Sequence, residues 1–228
     1  MMKRRVALVP CFLLCAVLIG CQQKSEKQET MPDRYTILVN DKLGFINGQG
    51  EVIVEPQYEA IYSYHDGLAC VRKDKKWGYI DLNGQYVIAP QFEDVEYFEE
   101  GLASVKMDNK WGFIDKSGKF IIQPQFDFAM SFKEGLSCIR KDNKWGFIDK
   151  QGKYVVEPKF DDAWSFNEGF AKVKIEEKWG FINEKGEYIC YPEYDEVGSF
   201  INGLAKVTID EKEGYINKKG QLIWKPTK

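Results

Sequence analysis

The sequence predicts an all-β chain: a tandem array of six 34-residue repeats, each a three-stranded antiparallel β-meander. Three observations carry that reading. First, the period is strict. Gly44, Gly78, Gly112, Gly146, Gly180 and Gly214 share one phase, and Pro56, Pro90, Pro124, Pro158, Pro192 and Pro226 share another, without insertion or deletion. Second, each unit carries about three glycines and a proline, poor material for the helix pairs that also repeat every 34 residues. Third, 15 Phe, 12 Tyr and 6 Trp in 228 residues favour pleated strands.

Ahead of the array stands a leader. Lys3-Arg4-Arg5 is a positive n-region, and residues 6–20 are apolar apart from Pro10, which leaves the stretch short for a spanning helix. It ends in Leu18-Ile19-Gly20-Cys21. That string resembles the lipobox of bacterial lipoproteins. The resemblance implies cleavage between Gly20 and Cys21, acyl chains such as palmitate on Cys21, and export to a membrane of the cell envelope. Gln22 follows the cysteine where an Asp often holds such proteins at the inner membrane, so an outer membrane is favoured if the cell is Gram-negative. The alternatives are an ordinary cleaved signal or an uncleaved anchor. Residues 21–34 then read as the lipidated cysteine and a flexible tether, since Gln22 to Asp33 offers one apolar side chain, Met31.

The repeat domain spans 35–228, with units near 35–68, 69–102, 103–136, 137–170, 171–204 and 205–228. In the third unit, Leu102 to Met107 reads as a first strand and Asp108-Asn109 as a tight turn. Trp111 to Asp115 follows as a second strand, with Trp111 and Phe113 on one face and Gly112 and Ile114 on the other. A bare glycine in mid-strand points to close approach of a neighbouring backbone or ring. Asp115 through Gly118 is a β-turn, in which Asp binds local N–H groups and Gly tolerates unusual dihedrals. Phe120 to Gln123 is the third strand, closed by Pro124 and apolar on both faces as in a sheet packed on two sides. Phe126, Ala129 and Phe132, which recur as Phe160, Ala163 and Phe166, are expected to pack between successive sheets.

The string Lys110-Trp-Gly-Phe-Ile-Asp115, followed by Gly118, Pro124, Phe126 and Gly135-Leu136, resembles the bacterial WG (KWG) repeat over about Tyr35 to Pro226. The resemblance implies a β-rich interaction module, and no catalytic residues. Trp77-Gly78, Trp111-Gly112, Trp145-Gly146 and Trp179-Gly180 are its structural signature. Leu43 and Glu213 stand where the first and last units would have Trp, as terminal capping repeats do. Glu213 favours an open superhelical array, although six small blades also suit a propeller-like ring.

Without the three leader cations the chain carries 29 Lys+Arg against 35 Asp+Glu, near −6, which argues against a nucleic-acid partner. Cys70, Cys138 and Cys190 lack CxxC spacing; one disulfide is conceivable, and Cys190 occupies a phase of buried aliphatics. Lys42, Lys76, Lys110, Lys144, Lys178 and Lys212 form one row, and a carboxylate row at Glu59, Glu93, Asp127, Asp161 and Asp195 follows the aromatic in each linker. Ion pairing across units and divalent-metal binding are both options, with solvated charges and turn caps the plain reading; no metal and no cofactor are expected. His65 reads as a solvent-facing filler. With one His, no nucleophile elbow and no phosphate loop, the sequence offers no candidate for catalysis.

One phase varies between units: Tyr62, Glu96, Met130, Trp164 and Gly198. Cores repeat, whereas ligand surfaces need not, so Tyr62, Met130 and Trp164 are the candidate ligand surface, against the plain alternative of local packing. The expected function is a membrane-anchored, exported, non-catalytic binding module for a protein or envelope polymer. A structural envelope lipoprotein or assembly scaffold is the alternative.

Overall fold

The computed structural model describes residues 34–224. The leader, Cys21 and all but the last residue of the tether lie outside the described residues. Six antiparallel sheets follow one another along the chain, and no helix occurs among the described residues. The first sheet has three strands, Tyr35–Val39, Lys42–Ile46 and Val52–Tyr58. Each later sheet has four, in sequence order. The third, for example, runs Asp94–Val95, Leu102–Met107, Lys110–Asp115 and Phe120–Phe126. The fourth runs Phe128–Ala129, Leu136–Lys141, Lys144–Asp149 and Tyr154–Phe160. A short edge strand is thus added to the expected three; it forms inside the segment read as a connection.

Local chemistry sets the turns. Asp108 and Asn109 adopt φ of 50° and 61°, the left-handed pair that matches a two-residue hairpin to the twist of its strands. At the next corner Gly118 donates to the Asp115 carbonyl at 2.9 Å, and the Asp115 carboxylate accepts from the N–H groups of Ser117 and Lys119 at 2.9 and 3.1 Å.

The third strand departs from the sequence reading. It continues through Pro124 to Phe126, and the register jumps from Trp111↔Phe126 to Phe113↔Ile122. Two extra residues are absorbed in a bulge opposite Gly112. Pro124 is tolerated inside the strand because the bulge asks for no ladder bond from its nitrogen. The strand is also not apolar-buried on both faces: Ile122 is buried but Ile121 is exposed, because this strand is the outer edge of its sheet.

Between sheets the expected aromatic packing is present. Phe126, Ala129 and Phe132 are all buried. Phe132 meets Phe113 of the preceding sheet at 4.8 Å between ring centroids; Phe98 meets Tyr79 at 4.7 Å and Phe166 meets Phe147 at 5.0 Å. Burying each such ring contributes roughly 1.5–3 kcal/mol. Where the array stops, the pattern is exposed. Tyr215, in the phase of Phe147 and Phe181, is 38% exposed, and Leu204 is 37% exposed where Leu136 is 8%. Strand pairing stays within each sheet, so no continuous barrel closes among the described residues, and neighbouring sheets meet through side chains.

Candidate functional site

Two ladders of carboxylates stitch the sheets together. In the first, the rows noted in the sequence meet: Lys110 pairs with Asp127 at 2.6 Å, Lys144 with Asp161 at 2.5 Å, and Lys178 with Asp195. The same carboxylates accept backbone N–H groups from the next hairpin turn, Glu176 to Asp161 at 2.6 Å and Asp210 to Asp195 at 2.8 Å. The lysine partner comes first among the causes that hold Asp127, Asp161 and Asp195 below the usual carboxylate range. The second ladder was not read from the sequence. Glu100 accepts from Gly135 N–H at 3.1 Å and pairs with Lys150 at 3.0 Å; Glu168 accepts from Gly203 N–H at 2.8 Å and pairs with Lys218 at 3.1 Å. Each of these carboxylates is engaged in joining sheets. No set of three or more His, Cys, Asp or Glu is placed to hold a metal among the described residues.

The signature residues serve the fold. Trp77 and Trp111 are buried, and Trp145 and Trp179 partly so. Gly78, Gly112, Gly146 and Gly180 lie under the bulge of the outer strand, where an added Cβ would stand 2.5–2.7 Å from a main-chain carbonyl oxygen. Cys70, Cys138 and Cys190 are buried free thiols, and burial pushes Cys70 up to about 12 and Cys190 to about 11. His65 is not a filler: its ring lies 3.1 Å from Glu99 and 4.1 Å from the Tyr97 ring, because the segment after the next sheet's edge strand packs on it. Gly20 and Cys21 lie outside the described residues.

The variable row forms a line of side chains held on a fixed backbone. Each residue just beyond an edge strand donates its N–H to the neighbouring strand: Glu96 to Ser104, Met130 to Cys138, Trp164 to Lys172 and Gly198 to Lys206, at 2.9–3.1 Å. Tyr62 is 43% exposed and stacks on Trp77 at 4.8 Å. Phe128 sits between Trp111 at 5.2 Å and Trp145 at 5.9 Å. Trp164 is 50% exposed, with the Lys172 ammonium 4.6 Å from its ring centroid.

Two of the three candidate residues converge. Met130 and Trp164 line one cavity of ≈ 460 Å³ with Phe128, Phe132, Ser131 and Ser165. Glu96, Glu99 and Lys133 also line it. That volume falls in the ~300–1,000 Å³ range of ligand pockets. Tyr62 is not among its lining residues. Glu96 and Phe128 are not among the candidates the sequence offers; Glu96 carries one signal, its place in the varying phase, and Phe128 carries none. The Glu96 carboxyl is raised by desolvation first and by Asp94 second. A second cavity of ≈ 330 Å³ opens in the sixth sheet beside Glu213 and Leu222, where the final unit lacks the repeat's Trp.

A family model described as WG containing repeat matches residues 44–77, 77–111, 111–145, 145–179 and 179–212. Among curated proteins no sequence matches. Among solved structures, the chain is similar to a eukaryotic initiation factor, with a TM-score of 0.56, 13% identity and coverage of 84% of this chain and 62% of that one. It is also similar to Kluyvelomyces marxianus Hsv2, with a TM-score of 0.52, 11% identity and coverage of 80% and 68%. A third is the dihydro-heme d1 dehydrogenase NirN, at 0.50 and 13%, covering 84% and 54%. The chain thus spans less than two thirds of the first and third of these. The likeness is one of fold, a propeller-like succession of small antiparallel sheets.

Proposed function

The chain belongs to the family of WG-containing repeats, and on that premise we propose that it is an exported lipoprotein, anchored through Cys21, that acts as a non-catalytic interaction module. The observation that carries the binding role is the variable row. In a chain whose cores, turns and joints repeat, Glu96, Met130 and Trp164 differ from one another yet line one cavity. The anchor rests on Leu18-Ile19-Gly20-Cys21 after a basic and apolar leader. Two or more acyl chains, at ~0.8 kcal/mol per buried methylene, would hold the protein stably at a membrane. The partner is a protein or envelope polymer; the charge balance speaks against nucleic acid.

Each half has its own test. Labelled palmitate should enter the wild-type protein and not Cys21→Ala; incorporation into the variant would remove the anchor from the proposal. Affinity capture from envelope extracts should retain a partner on wild type and lose it on Trp164→Ala with the melting temperature unchanged. If both proteins capture the same partner, the surface lies elsewhere, and if neither captures anything specific, a purely structural envelope role replaces the binding one.

A further inference from the structure

We propose that the cavity bordered by Glu96, Phe128, Met130 and Trp164 receives a lysine or arginine side chain from a basic segment of the partner. The inference rests on the interaction-module reading and adds the chemistry of what is bound. The walls include the aromatic side chains Phe128, Phe132 and Trp164 and the Met130 thioether, and aromatic faces attract an ammonium or guanidinium group through the ring quadrupole. The negative pole is Glu96. Its carboxylate is half-buried at the cavity and carries neither an ion pair nor a side-chain hydrogen bond among the described residues. A desolvated carboxylate without a partner is unfavourable, and an incoming cation would offset that.

The chain's own cations do not fill the role. Lys172 lies 4.6 Å from the Trp164 centroid and 5.6 Å from that of Trp179, and it is not among the lining residues. Lys133 lines the cavity but makes no ion pair with Glu96, and Glu99 is engaged by His65 at 3.1 Å. Other ligand classes fit less well. Two carboxylates at the border disfavour an anion. A neutral sugar would leave the Glu96 charge without a counter-ion, and the Ser131 and Ser165 hydroxyls, which already donate to the Tyr97 carbonyl at 3.2 Å and to Met130 Sδ at 3.5 Å, could offer it only acceptor lone pairs.

The test uses the full lipoprotein in neutral detergent and four short acetylated, amidated glycine peptides bearing a central Lys, Arg, norleucine or Glu. Binding is read from the indole N–H resonance of Trp164, assigned by its loss in Trp164→Phe. The Lys and Arg peptides should shift it saturably, and the norleucine and Glu peptides should not. Glu96→Gln keeps the shape and removes the charge, and should weaken the Lys peptide about tenfold. Equal response to norleucine, or unchanged affinity in Glu96→Gln, overturns the proposal. Envelope capture that depends on Trp164 but not on Glu96 would also overturn it while sparing the interaction module. Glu96-dependent peptide binding without any captured partner would support the cation site and count against the module.

Discussion

Pro124 crosses directly over Gly112: a Cβ on Gly112 would stand 2.7 Å from the proline nitrogen and 2.6 Å from the Ile122 carbonyl oxygen. Those are main-chain atoms of a bulge and cannot rotate away. Gly112→Ala should therefore destabilise by at least the ~1–3 kcal/mol of an overpacked core. Gly135 is the control. It adopts φ of 79° with nothing within 4 Å of an added Cβ, so Gly135→Ala carries only the left-handed penalty of ~1–2 kcal/mol. Chemical denaturation of the two variants checks the order, and equal losses would remove the close approach as the reason for the repeated glycine.

The tryptophans divide by phase. Trp111 is 4% exposed and packs on Phe128, whereas Trp164 is 50% exposed at the rim of the cavity. Trp111→Ala should cost ~3–5 kcal/mol, and Trp164→Ala should stay within about 0.5–1 kcal/mol of wild type. A thermal scan that reversed this order would place Trp164, not Trp111, in the core.

What the sequence made legible is what depends on neighbours along the chain. The period, the Asp108-Asn109 hairpin and the Asp115–Gly118 turn all follow from residues within a few positions of one another. The outer strand was read three residues too short because proline usually ends a ladder, and only the register across to Gly112 shows that no ladder bond is needed there. The Glu100 and Glu168 ladder stayed hidden for a similar reason: its partners lie 35 and 50 residues away on other sheets. The cavity was half legible. Phase variation singled out Met130 and Trp164, but nothing local set Phe128 beside them or left Glu96 without a partner.

That second ladder contains one irregular rung. Asp66, Glu100 and Glu168 each pair with a lysine fifty residues on, Lys116, Lys150 and Lys218. At the remaining rung Glu134 accepts from Gly169 N–H at 2.8 Å, and the lysine phase holds Glu184, whose Oε1 lies 4.0 Å from a Cβ built on Gly169. Glu184→Lys should replace a like-charge approach with an ion pair and stabilise by up to ~1 kcal/mol, less in high salt. Lys150→Glu should have the opposite sign. A melting temperature unmoved by both would mean that the rung adds nothing to the backbone bonds already there.

The first ladder makes stability depend on acid. Lysine hydrogen bonds come first in holding Asp127, Asp161 and Asp195 below the usual carboxylate range. In the unfolded chain these groups return to about 3.9. The folded state therefore binds fewer protons as the pH falls through that region, and acid favours the unfolded state. The contribution is complete above the unfolded value, declines as the pH drops through it, and is lost below the folded values. Asp127→Asn, Asp161→Asn and Asp195→Asn combined should lower the melting temperature at neutral pH and flatten its decline between about pH 6 and pH 3. Because the pairs are largely exposed, added salt should shrink the wild-type slope toward that of the variant. A triple variant that kept the full acid slope would assign it to other carboxylates. Glu168 is the first to examine, since it too lies below its ordinary range, held there by the Gly203 N–H and then by Lys218.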